Sequence, residues 1–587
     1  MTYGATLPIS YTLSSLPGTV RYVATTGSDT ASGSSSAPYA TLTKAVSSSV
    51  SGDSIVIRGG TYRQGNVSVP SSKTLRIVAY PGEIPVFNGA QTAASWTADG
   101  SLRYTSYTPR PVTDGGGISF STGQNLTGDG VGKYPDQAWI GSTQLRQVSA
   151  RASVVDGTFW VDRTNGRLYL TAVDAAKSGI EVSNRNVFLG IQATGTTVEG
   201  LRVTRFSNGG GDYGVIRFDN PSTRVTLRNL EISESAFNAV TVTGSGGTFS
   251  DGSRLDHVTV TTSNWMGVAL NYTDNVTLDG VKITNMNQFG EFAASPASGA
   301  LKTSRTHYTT VKNSYIAGNN SKGLWFDQSN YRTVVANNEI LDNTDSGVFF
   351  EISDNLLLIN NYIRATGTAK GLKGAGSSGL RIVNNTFVGG SDPIRIYADN
   401  RSIPGCADPA EPICDNSYSS DRDTQRPRQA TIDWMPRLDL MLNNIVAYPT
   451  SRGSCSAGRP PACITLENDA ASVTIQSVIH KAEAARGIPQ TVMNGNVYAN
   501  GTGPVWGVNT TAYATPAEFS TAMAAAPVSI TGLEAVGSKA GNSWVNADGS
   551  PTSALSAVHG QAIAVPTTAD INLYIPAGTK HYGVTWK

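Results

Sequence analysis

Short apolar stretches recur along the middle of the chain, each opened by Gly, Asn or His. Large apolar residues alternate with polar ones within them, which is the pattern of a β-strand with one buried face. The series runs GLRV at 200, NLEI at 229, HVTV at 257, GVKI at 280, NSYI at 313, NNEI at 337, NNYI at 360 and NNTF at 384. Its later members lie 23–24 residues apart. The pattern therefore predicts a repeat fold.

A second series of strands keeps the same spacing. GVAL begins at 267, GALK at 299, GLWF at 323 and GVFF at 347. Two or three short strands in 23–24 residues without a helix form one coil of a parallel β-helix, and stacked coils share a continuous core. We expect an all-β, right-handed parallel β-helix. The leucine spacing of a leucine-rich repeat is absent, and propeller blades need about 40 residues or more.

Paired asparagines mark one turn of the predicted coil. They are Asn337/Asn338, Asn360/Asn361 and Asn384/Asn385. Asn tolerates a left-handed backbone, and stacked amides can hydrogen-bond from coil to coil. We therefore predict an amide ladder at this turn.

The ends and insertions depart from the repeat and suggest five segments. ATLTKAVSSSV predicts a capping helix, DSIVIRGGTY a first coil strand, and TPAEFSTAMAAA a late helix. Alternating strands with tight turns near 91–185 predict an inserted antiparallel β module. The segments are 1–20, an N-terminal arm; 21–90, the helix cap and first coils; 91–185, the insert; 186–500, the main β-helix with loop insertions at 398–435 and 449–462; and 501–587, a C-terminal region that packs along the coils or mediates attachment.

Composition and charge exclude several classes of protein. Gly is abundant at 62 of 587 residues, charged residues make up 15%, and the net charge is +1. Without a basic face, nucleic acid is not an expected partner. No apolar run reaches the roughly 18 residues of a membrane span. The five histidines are scattered without ligand spacing, so we expect no metal and no cofactor.

Four cysteines stand in two short frames, CADPAEPIC and CSAGRPPAC. Two local disulfides, Cys406–Cys414 and Cys455–Cys463, suit these Pro-rich loops and indicate an oxidising compartment. Free thiols are the alternative, and a zinc site lacks the usual spacing of about two to four residues within each pair. The N-terminus lacks the charged start and apolar middle of a signal peptide. Disulfides without a signal peptide suggest a protein that is released by cell lysis, such as part of a phage virion. We therefore expect an extracellular or virion-associated protein.

Two acids occupy matching positions in neighbouring repeats. In a strand alternate side chains point to opposite faces, so Leu324 and Phe326 point inward while Trp325 and Asp327 point outward. Glu351 lies one repeat later at the phase of Asp327. Adjacent strands lie about 4.8 Å apart, and retaining glycosidases hold two carboxyl groups about 5–5.5 Å apart. Their repulsion would also raise one pKa, as an acid/base needs.

Further residues are predicted to line the same face as substrate-binding groups. Trp325 offers a flat surface for a sugar ring, and the coil before it contributes Lys302 or Thr303, depending on a one-residue choice of register. The other candidates are Asn271, Phe349, Arg395, Tyr397 and, as a third carboxylate in the loop QFGEFAASPAS, Glu291. A chance pair of solvated acids is the competing interpretation, but stacked like charges destabilise a sheet unless they are used.

The stretch GLWFDQSNYRTVVANNEILDNTDSGVFFEISDN, residues 323–355, resembles the active-site coils of glycoside hydrolase family 120, the β-xylosidases. That family is a right-handed β-helix with an intercalated β-sandwich, and it has an Asp nucleophile after GIW and a Glu acid/base about one coil later. The resemblance implies that Asp327 is the nucleophile and Glu351 the acid/base. It covers the cap, the insert and the coils to about 400. The residues after the Glu differ, so the sugar is not implied.

Three functions remain open from the sequence. The first is a retaining glycoside hydrolase that cleaves an extracellular or cell-envelope polysaccharide. In one form of this hypothesis the enzyme is part of a phage tail. The second is a polysaccharide lyase on the same scaffold, with Lys302 as part of its site. The third is a phage tail or fibre protein that only binds glycan. The expected partner is a polysaccharide or oligosaccharide, and a homotrimer or contacts with other virion proteins are open.

Overall fold

The computed structural model describes most of the chain in two compact units. The N-terminal unit comprises Thr2–Leu270 and Gly280–Ala300, and the C-terminal unit comprises Asn271–Asp279 and the residues from Leu301 onward. The structure describes residues 2–114, 119, 125–219, 222–244, 250–295, 297–398, 435–448, 462–468, 478–499, 504–536, 538–539, 546, 552–556 and 561–585.

Within each unit the chain winds through three parallel sheets, called sheets 1, 2 and 3 in the order in which each coil visits them. In the N-terminal unit, sheet 1 contains Val20–Val23, Ser54–Ile57, Arg76–Ala79, Thr197–Glu199, Thr226–Arg228 and Arg254–Asp256. Sheet 2 contains Gly60–Tyr62, Pro85–Asn88, Arg202–Thr204, Glu231–Ser233, Thr259–Thr261 and Lys282–Thr284. Sheet 3 contains Val67–Val69, Leu189–Ile191, Gly214–Phe218, Asn238–Thr243 and Met266–Asn271.

The C-terminal unit repeats the same order of sheets. Sheet 1 contains Thr277–Asp279, Thr310–Lys312, Tyr331–Ala336, Asp354–Ile359, Ser378–Val383, Leu438–Leu442 and Val492–Asn494. Sheet 2 contains Tyr315–Ala317, Glu339–Leu341, Tyr362–Ala365, Thr386–Gly389, Ile445–Ala447, Val497–Ala499 and Ser538–Lys539. Sheet 3 contains Gly299–Ser304, Lys322–Asp327, Ser346–Glu351, Lys370–Ala375, Asp392–Ala398, Ile464–Asn468, Trp506–Val508 and, antiparallel at its end, Thr511–Tyr513.

These sheets confirm the predicted parallel β-helix. Successive strands pair in parallel with one apolar position above the next, as Val348 lies beside Leu324 and Leu372. The coils also extend further than the sequence indicates. Trp506–Val508 pairs in parallel with Ile464–Asn468, and Ser538–Lys539 pairs with Val497–Ala499. The sequence places the end of the coils near 500, which is too early.

The predicted insert is a module of two small sheets. It leaves the coil after Pro85–Asn88 and returns before Leu189–Ile191. One sheet contains Ala90–Thr92, Ala138–Ile140, Thr143–Gln144 and Ile180–Ser183; the other contains Thr97–Asp99, Leu102–Ser106, Arg146–Gln147, Thr158–Asp162 and Arg167–Thr171. Among the strands described in the insert, all pairings but one are antiparallel. Phe159, Leu168 and Val182 belong to one buried cluster with side chains from both sheets, so the module has its own core.

Helices are few and short. Leu42–Ser48 forms where the sequence predicts the capping helix, and the Thr41 hydroxyl accepts a hydrogen bond from Lys44 N at 3.1 Å. Pro516–Ala524 is the predicted late helix and begins with a capping box of Thr515 and Glu518. Ala172–Ala175 and Ser553–Ser556 are single turns, and 3₁₀ turns lie at Leu13–Ser15, Val131–Lys133, Arg151–Ser153, Gly210–Asp212, Ala484–Arg486 and Ile571–Leu573. Two further short strands are Ser250–Asp251 and Thr273–Asp274. No helix in the described ranges is long and apolar enough to cross a membrane.

The loop cysteines are only partly described. Cys406, Cys414 and Cys455 lie outside the described residues, as do nearly all of the insertions at 398–435 and 449–462. Cys463 is buried and disulfide-bonded. The pairing of the four cysteines therefore stays a prediction.

A buried amide ladder runs through the C-terminal unit, as the paired asparagines predict. The Asn337, Asn360 and Asn384 backbones are left-handed, with φ of 57°, 58° and 52°. The second Asn of each pair points inward, and Asn361 N donates to Asn385 Oδ1 at 3.0 Å. We call this row the Asn ladder; its members are Asn338, Asn361, Asn385, Asn444 and Asn496.

The Asn ladder ends on a carboxyl group. Asn496 Nδ2 donates to Glu534 Oε1 at 2.8 Å, and the Tyr498 hydroxyl donates to the same oxygen at 2.6 Å. Glu534 is 2% exposed, and its Oε2 has no hydrogen-bond partner among the described residues. Burial, opposed by these hydrogen bonds, raises the pKa of Glu534 to about 7.

This raised pKa predicts a loss of stability as the pH rises. Between the ordinary pKa of 4.5 and about 7, Glu534 is protonated when folded and ionised when unfolded. The free energy of unfolding should therefore fall by about 1.4 kcal/mol per pH unit over that window. Urea denaturation of the wild type and Glu534→Gln at pH 5 and pH 8 measures the effect. The variant should lose less stability than the wild type, and equal losses would contradict the prediction.

A C-terminal segment, residues 561–585, lies along sheets 1 and 2 of the same unit. Asn443 Nδ2 donates to Ile563 O at 2.7 Å, and Thr585 N donates to Asn360 Oδ1 at 2.7 Å. Its buried side chains Ile571 and Ile575 join a cluster with Leu357 and Ile359 on sheet 1. This segment therefore packs along the coils, which is one of the two roles expected for the C-terminal region.

Candidate functional site

The candidate site lies on the outward side of sheet 3 in the C-terminal unit. Leu324, Phe326, Val348 and Phe350 are fully buried on the inward side, which confirms the predicted alternation. Two columns of side chains occupy the outward side. The ring column consists of Trp325, Phe349, Lys373 and Arg395, one from each of four consecutive coils. The acid column consists of Asp327, Glu351, Ala375, Tyr397 and Glu467.

The two predicted acids lie level in adjacent coils. Phe326 pairs with Phe350 in the parallel register, and Asp327 and Glu351 are the next residues of the two strands. Arg395 and Tyr397 take their predicted places two coils after Glu351. The sequence-derived register therefore holds across this face.

The aromatic rings in the column beside the two acids are covered. Trp325 and Phe349 stack with centroids 5.6 Å apart and an interplanar angle of 19°, and each is 3% exposed. The Lys302 ammonium lies 3.8 Å from the centroid of the Trp325 ring, and the Lys373 ammonium lies 4.1 Å from that of Phe349. The prediction that Trp325 offers an open surface to a sugar ring is wrong, because cation–π contacts occupy the ring faces.

Asp327 is held by a lysine from the preceding coil. Lys302 Nζ lies 3.0 Å from Asp327 Oδ2, and Asp327 is 5% exposed. Its Oδ1 has no hydrogen-bond partner in the described part of the chain. The choice of register between Lys302 and Thr303 is thereby resolved: Thr303 is fully buried and donates to Asn330 Oδ1 at 2.8 Å.

Glu351 is tied to the aromatic stack. Trp325 Nε1 donates to Glu351 Oε2 at 2.9 Å, and the Glu351 side chain is only half-buried. The indole N–H of Trp325 therefore orients Glu351. The face of the same indole contacts Lys302, which pairs with Asp327. Trp325 is a positioning residue for both carboxylates.

A row of polar side chains fixes the backbone directly after the acids. Asn330 Nδ2 donates to Asp327 O at 2.6 Å, and Ser353 Oγ donates to Glu351 O at 2.7 Å. Asn330 N in turn donates to Ser353 Oγ at 3.1 Å. The residue between Glu351 and Ser353 is Ile352, whose φ of 38° is rare for a β-branched side chain. Such strain persists where the surrounding structure holds it, as this row does.

Sequence reasoning missed several charged residues of this face. Lys322 is fully buried, with Nζ 4.3 Å from the Trp325 centroid and 3.7 Å from Asp345 Oδ2. Burial lowers the pKa of Lys322 to about 8, against the opposing charge of Asp345. Glu467 was also missed, and it pairs with the predicted Arg395 at 2.6 Å. Lys373 could have been found, because GLKGA at 371 repeats the phase of GLWF and GVFF.

Two predicted site residues have no described contact with the acid pair. Asn271 ends the strand Met266–Asn271, and its Oδ1 has no hydrogen-bond partner among the described residues. Glu291 belongs to the N-terminal unit, where burial raises its pKa to about 7, against the attraction of Arg146 and with a smaller contribution from Asp129. A substrate-binding role for either residue stays a prediction.

A metal centre has no candidate in the described ranges. No group of three or more His, Cys, Asp and Glu residues there could hold a metal ion.

Comparisons with known proteins agree with this architecture. The family model described as "Right handed beta helix region" matches residues 213–393, and one for a family of unknown function matches residues 25–68. Among solved structures, XylC with xylose is 15% identical, with a TM-score of 0.55 over 84% of this chain and 86% of that chain. Pectate lyase Pel9A is 11% identical, with a TM-score of 0.33 over 82% and 81%. A search of the curated proteins gives no match. Together with the sheets, the family model and the XylC likeness identify the fold as a right-handed parallel β-helix.

Proposed function

We propose that this protein is a retaining glycoside hydrolase that cleaves an extracellular or cell-envelope polysaccharide. The observation that carries the proposal is the level placement of Asp327 and Glu351 in adjacent coils on one outward face. The strand spacing of about 4.8 Å matches the separation of about 5–5.5 Å that a double-displacement mechanism uses.

The contacts of the two acids suit different roles. Asp327 takes the role of the nucleophile, because its ion pair with Lys302 holds the carboxyl group in place through Oδ2. With Oδ2 paired to Lys302, Oδ1 is the oxygen left to attack the anomeric carbon. Glu351, oriented by the Trp325 indole, then protonates the leaving oxygen. In the second step Glu351 takes a proton from water, which hydrolyses the glycosyl ester on Asp327.

The anomeric form of the first product tests this mechanism. The purified protein is incubated with a panel of envelope and plant polysaccharides, and the reducing end released at early times is followed by proton NMR. We expect the product to keep the anomeric configuration of the cleaved bond. An inverted product would contradict the double displacement.

A polysaccharide lyase is the second candidate, favoured by the buried Lys322. An ammonium whose pKa is lowered to about 8 is closer to acting as a base than an ordinary lysine. A lyase leaves a new double bond on one product. Growth of ultraviolet absorbance during cleavage would therefore select the lyase over the hydrolase.

A further inference from the structure

Four cations lie in or against the ring column in the described part of the C-terminal unit, and three of them have carboxylate partners. Lys302 lies 3.0 Å from Asp327, Lys322 lies 3.7 Å from Asp345, and Arg395 lies 2.6 Å from Glu467. The fourth, Lys373, makes no ion pair or hydrogen bond within the described residues. Its ammonium lies against two rings, 4.1 Å from the centroid of Phe349 and 5.9 Å from that of Tyr397.

Lys373 is also partly withdrawn from water. Burial lowers its pKa, against the more distant charges of Asp345 and Glu351. Removing a cation from water without a hydrogen-bonded partner costs free energy, and contacts with aromatic faces offset only part of that cost. The side chain remains half-buried, not enclosed, so a bound anion can reach it. An anionic ligand group would supply the missing partner.

The position of Lys373 connects this cation to the acid pair. Lys373 follows Phe349 in the ring column, and Ala375, two residues later on its strand, lies beside Glu351. Arg395 is the next member of the column. A sugar whose glycosidic oxygen meets Glu351 therefore has Lys373 within reach of its ring substituents.

We propose that the substrate is an anionic glycan and that Lys373 binds the negative group of a sugar at or next to the cleaved bond. This inference rests on the proposed function and names its substrate class. Two sources supply such a group: the carboxylate of a uronic acid and a sulfate ester. Either accepts a charge-assisted hydrogen bond from an ammonium.

The test compares the cleaved glycan with its neutral derivatives. Carboxyl reduction converts a uronic acid to the neutral sugar, and desulfation removes sulfate, while the linkage stays the same. We expect one of the two treatments to lower kcat/KM by about 10- to 100-fold, as the loss of a charged hydrogen bond does. The treatment that does so identifies the source of the charge. A cleaved glycan that is neutral, or that withstands both treatments, overturns the inference while the hydrolase proposal stands.

Variants of Lys373 assign the effect to this side chain. Lys373→Met should lose about the same factor of 10 to 100 on the untreated glycan and nothing on the neutral one, and Lys373→Arg should restore most of it. Lys370→Met is the matched control, because Lys370 lies on the same strand and donates to Thr368 O. It should change kcat/KM by less than about twofold. Equal losses in Lys373→Met on both substrates would overturn the inference.

Direct binding separates failure of this inference from failure of the proposed function. Isothermal titration compares D-glucuronate and D-glucose 6-sulfate with D-glucose on the intact protein, without any need for turnover. We expect one anion to bind at least about tenfold more tightly than glucose and to lose that advantage in Lys373→Met. Anion binding without cleavage of any glycan would refute the hydrolase alone. Equal affinity for all three sugars would refute the anion site.

Discussion

Replacing Asp327 with Asn is expected to lower kcat on the cleaved glycan by about 10⁴-fold, because the amide cannot form the glycosyl ester. Glu351→Gln should lower kcat by about 10²–10⁴-fold, since it removes the proton that the leaving oxygen takes up. Both changes preserve side-chain volume, and Gln keeps an oxygen for the Trp325 indole. Initial rates from reducing-sugar release measure the losses.

The two variants can be told apart. With an aryl glycoside whose leaving group needs no protonation, Glu351→Gln should keep its first step and be accelerated by azide, which replaces the activated water. Asp327→Asn should gain nothing from azide in this retaining reaction. Asp342→Asn is the control: Asp342 pairs with Arg364 at a turn outside the acid column, and its activity should stay within about twofold. Wild-type rates in both acid variants would eliminate the pair as catalytic groups.

Replacing Asn385 with Ala should lower the free energy of unfolding by about 3–5 kcal/mol. The Asn385 side chain accepts from Asn361 N and Nδ2, each at 3.0 Å, and donates to Leu358 O at 2.8 Å and Asn444 Oδ1 at 3.0 Å. Alanine leaves these groups buried without partners in the middle of the Asn ladder, and each such group is costly in a water-free core.

The midpoint of urea denaturation, followed by circular dichroism, measures this loss. Asn320→Ala is the matched control three coils earlier in the same unit, because Asn320 is exposed. It should change the stability by less than about 0.5 kcal/mol. If Asn385→Ala and Asn320→Ala had the same urea midpoint, the buried hydrogen bonds of the Asn ladder would contribute nothing measurable to stability.

The repeat was predictable because its period appears directly in the sequence. Inward residues such as Leu324 and Val348 and the left-handed Asn337 and Asn360 are constrained by their own coil, so spacing alone locates them. The same phase argument places Asp327 level with Glu351. Contacts that depend on backbone register, such as Lys302 rather than Thr303 beside Trp325, differ by one residue and required coordinates.

Long side chains account for most of what the sequence did not reveal. Lysine stems can fold over neighbouring rings while their Cα atoms keep the repeat, so the covering of Trp325 and Phe349 by Lys302 and Lys373 left no trace in the spacing. Lys322 is the first residue of its strand, and the alternation of inward and outward positions did not predict its contact with Trp325. The continuation of coils beyond 500 was hidden because Trp506–Val508 and Ser538–Lys539 are very short strands.

The segment 561–585 has a consequence for how the chain is synthesised. Thr585 contacts Asn360 across 225 residues of sequence, so the ribosome completes the coils around Asn360 long before their covering arrives. Until then Leu357, Ile359 and the apolar side chains around them on sheet 1 face water. Transiently exposed apolar surface promotes aggregation, so we expect the nascent chain to be prone to aggregate during this interval. Slower elongation after residue 360 would lengthen that exposure, whereas chaperones that bind apolar surface would protect it.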